Sequence, residues 1–210
     1  MDWYKNWFGS PYYKILYQNR DEQEAQEFLE HLLDYLQPPP ASAMLDIACG
    51  EGRFARQLAE HGFNVVGIDL SVASIEKAKE FETGNLQLYV QDMRLPFYIN
   101  YFNYAFNFFT SFGYFERQSD NLRTLKAFSA ALKTGGTLIF DYANSVRVRK
   151  DLSPASIEVI DGIEFSIRKT IKEPFVEKEI RLTENGTEHR FHEMLRLFEP
   201  DDLLQMISSS

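Results

Sequence analysis

The segment Met44-Leu-Asp-Ile-Ala-Cys-Gly-Glu-Gly-Arg-Phe54, followed by Val65-Val-Gly-Ile-Asp69, constrains the fold more than any other part of the chain. An apolar run enters a glycine turn, a helical stretch follows, and a second apolar run ends on an acid. That succession describes a parallel nucleotide-binding half-site. Gly50 and Gly52 let backbone pass close to a ligand with no side chain in the way. Asp69, 23 positions after Asp46, stands where a carboxylate accepts from both hydroxyls of a ribose.

Which nucleotide fits is a question of charge. Gly50, Gly52 and Ala55 satisfy the dinucleotide pattern G-x-G-x-x-G/A, but a pyrophosphate favours a helix N-terminus free of anions. Here Asp46 ends the first strand, Glu51 lies between the glycines and Asp92 follows the third strand. S-adenosylmethionine carries a sulfonium and an ammonium and no phosphate, so acids suit it.

Four segments then resemble the class I S-adenosylmethionine-dependent methyltransferases, of the small-molecule type with an antiparallel insertion late in the chain. They are residues 45–52, 67–71, 90–93 (Val-Gln-Asp-Met) and 132–140 (Leu-Lys-Thr-Gly-Gly-Thr-Leu-Ile-Phe), in order over residues 43 to 145. The resemblance implies S-adenosylmethionine as cofactor, S-adenosylhomocysteine as product and a small-molecule methyl acceptor.

Hydrophobic periodicity predicts an α/β fold, a doubly wound, Rossmann-like parallel sheet of order 3-2-1-4-5 carrying an antiparallel β insertion. Strands are expected over 43–48, 64–68, 86–90, 102–109 and 137–141. Helices are expected over 21–36, 52–61, from Ser71 to about Phe81, and 120–132, with Gly135-Gly136 as a turn. Four alternating segments follow, 156–160, 163–172, 175–183 and 187–198, separated by Asp161-Gly162, Glu173-Pro174 and Asn185-Gly186. The last is a strong hairpin signal. The expected division is an N-terminal helical cap (1–40), a cofactor-binding core (41–150), a lid or substrate insertion (151–199) and a truncated final helix (200–210). Strands six and seven of the family's sheet have no residues before Ser210, so the edge beside strand five is expected to associate with another chain, as a homo-oligomer.

Candidate site residues follow from the resemblance. Asp46, with Ala48, Gly50 and Gly52, lies at the amino-acid end of the cofactor, where Asp46 either accepts from the ammonium or holds the turn. Asp69 binds the ribose, its alternative being a solvated helix cap, and Leu70 packs an adenine face. Asp92 and Met93 resemble the pair at the adenine amino group and ring, with a surface turn as the alternative. Phe108 follows strand four, where ligands gather at the carboxyl ends of parallel strands. Tyr17 and Arg20 lead an aromatic N-terminal segment that either forms a lid over sulfonium and carboxylate or covers a sheet face. Tyr114 and Asn144 are assigned to orienting the acceptor. Glu193 and Arg196 read as a surface pair, Cys49 as a small side chain within the turn. His189 and His192, three apart on a strand, face opposite ways, so no metal site is read.

A net charge of −9 from 22 basic and 31 acidic residues repels a polyanion, which disfavours nucleic acid as a partner. The Asn/Asp-Pro-Pro-Tyr/Phe element of enzymes that methylate base amines is absent, Asn107-Phe-Phe-Thr110 standing in its place. At 210 residues with 44% apolar content, the chain fits one globular domain. No membrane partner is expected. Lacking a basic and apolar leader or a spanning run, the chain is expected to be cytoplasmic. The expected function is methyl transfer to nitrogen or oxygen of a small molecule. A non-catalytic module binding S-adenosylmethionine or S-adenosylhomocysteine, or an assembly subunit, is the alternative.

Overall fold

A computed structural model of the chain describes residues 3–18 and 22–210. Helices α1 (Trp3–Phe8), α2 (Pro11–Leu16) and α3 (Glu22–Leu36) precede strand β1 (Ala43–Ile47). Alternation gives α4 (Arg53–Glu60), β2 (Asn64–Asp69), α5 (Val72–Ala78), β3 (Leu86–Val90), β4 (Phe102–Asn107), α6 (Gln118–Ala131) and β5 (Leu132–Phe140). After α7 (Ser145–Asp151) come β6 (Ala155–Ile160), β7 (Ile163–Lys172), β8 (Phe175–Glu184), β9 (Thr187–Arg196) and α8 (Pro200–Ser208). The chain divides into two compact units, one of residues 20–111 and 118–142, the other of 1–19, 112–117 and 143–209. The segment 1–40, read from sequence as a single cap, therefore contributes to both: α1 and α2 to one unit, α3 to the other.

The first unit is a parallel sheet of order β3-β2-β1-β4-β5, as the alternation of strand and helix predicts. β1 is central, Leu45 pairing with Val66 on β2 and Ala105 on β4. Because helices cover both faces, β1 and β2 are apolar and buried almost throughout. Leu29 and Leu33 of α3 and Phe54 and Leu58 of α4 share one core with Met44, Val65, Leu88 and Phe106. Each fully buried side chain of this size stabilises the fold by about 1.5–3 kcal/mol.

Two details differ from the sequence reading. β4 stops at Asn107, because Phe109 and Thr110 take left-handed φ of 54° and 57°, which extended pairing cannot accommodate. Gly135-Gly136 is not a turn ahead of β5 but lies within it. Phe102 pairs with Leu132 and Tyr104 with Thr137, so β5 bulges there, with Gly135 at φ 80°.

The second unit is an antiparallel sheet of order β6-β7-β8-β9. Asp161-Gly162 and Asn185-Gly186 have φ of 50° and 78°, and 50° and 77°, the doubly left-handed pair that a tight hairpin twist requires. One face of the sheet, Phe165, Ile167, Ile180 and Leu182, buries Trp7, Tyr12 and Leu16 of α1 and α2. Ser10 starts α2 by accepting from Tyr13 N, with Pro11 in the first turn. Helix α7 was not foreseen: its sequence, Ser-Val-Arg-Val-Arg-Lys-Asp, has no apolar stripe. Arg149 anchors it, bonding to Glu173 and Glu199. Among the described residues no helix is long and apolar enough to cross a membrane.

Candidate functional site

The parallel strands β1 and β2 deliver two acids to one turn. Asp46, on β1, is only 3% exposed. Burial pushes its carboxyl up to about 7, with the charge of Asp69 adding to the rise and the Ala55 amide and Arg53 opposing it. Its Oδ2 is buried and meets no donor among the described residues. Beyond β1 the backbone turns sharply: Ala48, Gly50 and Gly52 have φ of 61°, 57° and 77°. A left-handed alanine is strained by about 1 kcal/mol or more, so the surroundings must impose it.

Asp69 imposes part of it. Its Oδ2 accepts from Gly50 N at 2.8 Å and its Oδ1 from Ser71 N at 2.8 Å. Burial raises its pKa even against these bonds. Against the helix-cap alternative, Asp69 is half-buried rather than solvated, and the cap of α5 is Ser71, whose Oγ accepts from Ser74 N. A carboxylate has about four acceptor positions, so the Gly50, Ser71 and Leu70 amides do not exhaust the acceptor capacity of Asp69.

Close packing holds the turn from below. A methyl group at Gly67 would stand 2.6 Å from Leu88 Cδ2 and 3.0 Å from Cys49 Sγ, so a larger residue there would require these side chains to move. Burial raises the Cys49 thiol well above its usual range, which leaves little nucleophilic thiolate. Its small side chain is what the turn uses.

Asp92 and Met93 follow β3 and are half-buried, as is Leu70. The Asp92 carboxylate is gripped by Arg94, Nε to Oδ1 at 3.0 Å and Nη2 to Oδ2 at 2.6 Å. This local clamp was missed from sequence, although both residues lie within the same short segment. Phe108 is 5% exposed and packs at 5.0 Å from Phe54 and 5.3 Å from Phe106, so its ring belongs to the core. Exposed Phe109 sits beside it, its amide donating to Asp141 Oδ2 at 2.8 Å. Asp141, which sequence reading did not single out, thus fixes the end of β4.

The remaining candidates lie in the antiparallel unit. Tyr17 ends α2, its hydroxyl donating to Glu193 Oε1 at 2.9 Å with the Lys178 ammonium beside it. Trp7 Nε1 donates to the same carboxylate at 2.5 Å. The surface-pair reading of Glu193 and Arg196 is corrected by these contacts, since Arg196 packs over Phe175 and Phe198 instead. Tyr114 packs edge-on against Trp3 at 5.3 Å. Asn144 caps α7, its Oδ1 accepting from Arg147 N. Arg20 lies outside the described residues.

A family model described as a methyltransferase domain matches residues 17–208. The chain belongs to this methyltransferase family. The fold is shared with solved structures: an S-adenosylmethionine-dependent methyltransferase from Clostridium acetobutylicum superposes with a TM-score of 0.75 at 21% identity, over 94% of this chain and 83% of that one. The sugar N-methyltransferase KedS8 from Streptoalloteichus gives 0.74 at 22% identity, over 96% and 84%. By sequence, YqeM of Bacillus subtilis is 33% identical over 113 residues, 52% of this chain and 46% of that protein. A ubiquinone biosynthesis O-methyltransferase of Coxiella burnetii is 32% identical over 104 residues, 48% and 43%. The chain thus spans about half the length of the curated relatives it matches.

S-adenosylmethionine is the cofactor of this methyltransferase family, and the residues present suit it. A buried carboxylate oxygen with no donor suits an ammonium, and a second carboxylate with unused acceptor capacity suits a pair of hydroxyls. Two acids beside the turn, Asp46 buried and Asp69 half-buried, equally oppose a pyrophosphate.

Proposed function

We propose that the chain binds S-adenosylmethionine at the Asp46–Asp69 turn and directs methyl transfer to nitrogen or oxygen of a small molecule. The observation that carries this reading is the donorless Asp46 Oδ2 beside the Asp69-tethered turn. Asp46 would hold the ammonium, Asp69 the ribose hydroxyls, Leu70 and Met93 the adenine faces, and Asp92, steadied by Arg94, the adenine amino group. When bound, the cofactor supplies an activated methyl group on a sulfonium. The protein's remaining work is to orient the nucleophile at about 3 Å and to exclude water, which requires no triad. Tyr114 and Asn144 are proposed as orienting contacts. A small acceptor is favoured over nucleic acid by the net charge of −9 and by family relatives named for sugar N- and ubiquinone O-methylation.

The test is transfer of a labelled methyl group from S-adenosylmethionine to a panel of aminosugars, phenols and small amines, with transfer RNA and duplex DNA alongside. Label on a small acceptor and none on nucleic acid is expected. Label on nucleic acid overturns the acceptor class. Bound cofactor with no label anywhere supports the non-catalytic module instead.

A further inference from the structure

A cavity of about 530 Å³ opens in the antiparallel unit between α7 and the covered face of the sheet. Its apolar wall includes Val148, Val176 and Leu195, and its polar wall includes Lys169, Lys178 and Glu193. The size suits a small organic molecule. The register explains the polar wall: Lys169 on β7 pairs with Lys178 on β8, which pairs with Glu193 on β9. Directly opposed side chains on one sheet face lie about 5 Å apart at Cβ. Two ammonium groups are thus set side by side, with Glu193 opposite Lys178.

Like charges in this arrangement cost stability, and the neighbouring carboxylate does not fully compensate. Glu193 lies 3.4 Å from the Lys178 ammonium, but it also accepts from Trp7 and Tyr17. Lys178 is 15% exposed. Burial lowers its pKa, with Glu193 and Glu158 opposing the shift and the charge of Lys169 adding to it. Among the described residues no carboxylate lies within ion-pair distance of Lys169. Arg147 also lines the cavity, and its partner Asp151 is at 3.5 Å on an exposed helix face, where such a pair contributes little. The lining therefore carries three cations against two acids, within a chain whose net charge is −9.

We propose that this cavity binds the acid group of a small organic anion, a carboxylate or phosphate seated between Lys169 and Lys178, with its apolar body against Val176 and Leu195. An anion there relieves the repulsion between the two ammonium groups and gains two charge-assisted hydrogen bonds. The paired lysines, rather than the helix beside them, make the site. The proposal concerns this unit alone and stands whether or not the cofactor reading of the other unit holds.

The test is calorimetric titration of the full chain, at fixed ionic strength, with inorganic phosphate, benzoate and benzamide, the last a neutral isostere. Saturable binding of either anion below about 10 mM, with benzamide silent, is expected. Lys169→Gln should weaken that binding about tenfold, one charge-assisted contact being worth that much. Arg168→Gln removes the same charge from the exposed face of β7 and should change binding less than twofold. Circular dichroism confirms that both variants fold. Failure of both anions to saturate, or equal losses in the two variants, overturns the proposal. S-adenosylmethionine titrated into the same samples reports on the other unit, so the two readings fail separately.

Discussion

Asp69→Ala is expected to weaken S-adenosylmethionine binding about a hundredfold or more while leaving the fold intact. The carboxylate does two things at once. It holds Gly50 N and Ser71 N, each at 2.8 Å, and in the proposed complex it receives the ribose hydroxyls. Hydrogen bonds to a charged group are worth about 1.5–3 kcal/mol each, so loss of the ribose pair alone predicts about 3 kcal/mol. Freeing Gly50 also releases a turn whose Ala48 is held in a strained conformation. The fold should tolerate the change, because Ser71 rather than Asp69 caps α5 and burial already disfavours the Asp69 charge. Calorimetry for affinity and urea unfolding for stability check the two halves. Unchanged affinity would mean that Asp69 only braces the turn.

Asp46→Asn is expected to move stability and binding in opposite directions. In the native chain Asp46 keeps its proton up to about pH 7, against an ordinary value of 3.8. Between those limits the native state binds more protons than the unfolded state, so stability falls as pH rises, and above about pH 7 the loss is constant. The amide never ionises and escapes this loss. At pH 8 the variant should be more stable than the parent by about 2–4 kcal/mol, on the scale of 1.36 kcal/mol per pKa unit. The advantage should shrink towards zero as pH falls towards 4. Urea unfolding at both pH values measures it. Cofactor affinity should meanwhile fall at least tenfold, because an amide cannot pair with an ammonium as a carboxylate does. Unchanged affinity would leave Asp46 as a turn-holder only.

What was legible in the sequence follows the range of the interactions. β1 and β2 show as largely apolar runs because most of their residues are buried, and the Asp-Gly and Asn-Gly hairpins because their turns demand left-handed residues. The end of β4 did not show, since Phe109 and Thr110 adopt that conformation without glycine, held by a bond from Phe109 N to Asp141, 32 residues away. Within the candidate site, Asp46, Gly50 and Asp69 converge because the β1–α4–β2 succession brings them together. The role of Glu193 was hidden, because its partners Trp7 and Tyr17 are 186 and 176 residues distant. Asn144 illustrates the same limit. Its Oδ1 caps α7, a short polar helix with no periodic signal of its own.

The most direct test of the cofactor site is calorimetric titration of the 210-residue chain with S-adenosylmethionine, S-adenosylhomocysteine and NADH. The acid pair Asp46 and Asp69 at one turn predicts micromolar binding of both adenosyl compounds, about −8 kcal/mol, with no heat from NADH. Binding of NADH with the adenosyl compounds silent would contradict the account, because a pyrophosphate would then be accepted beside Asp46 and Asp69.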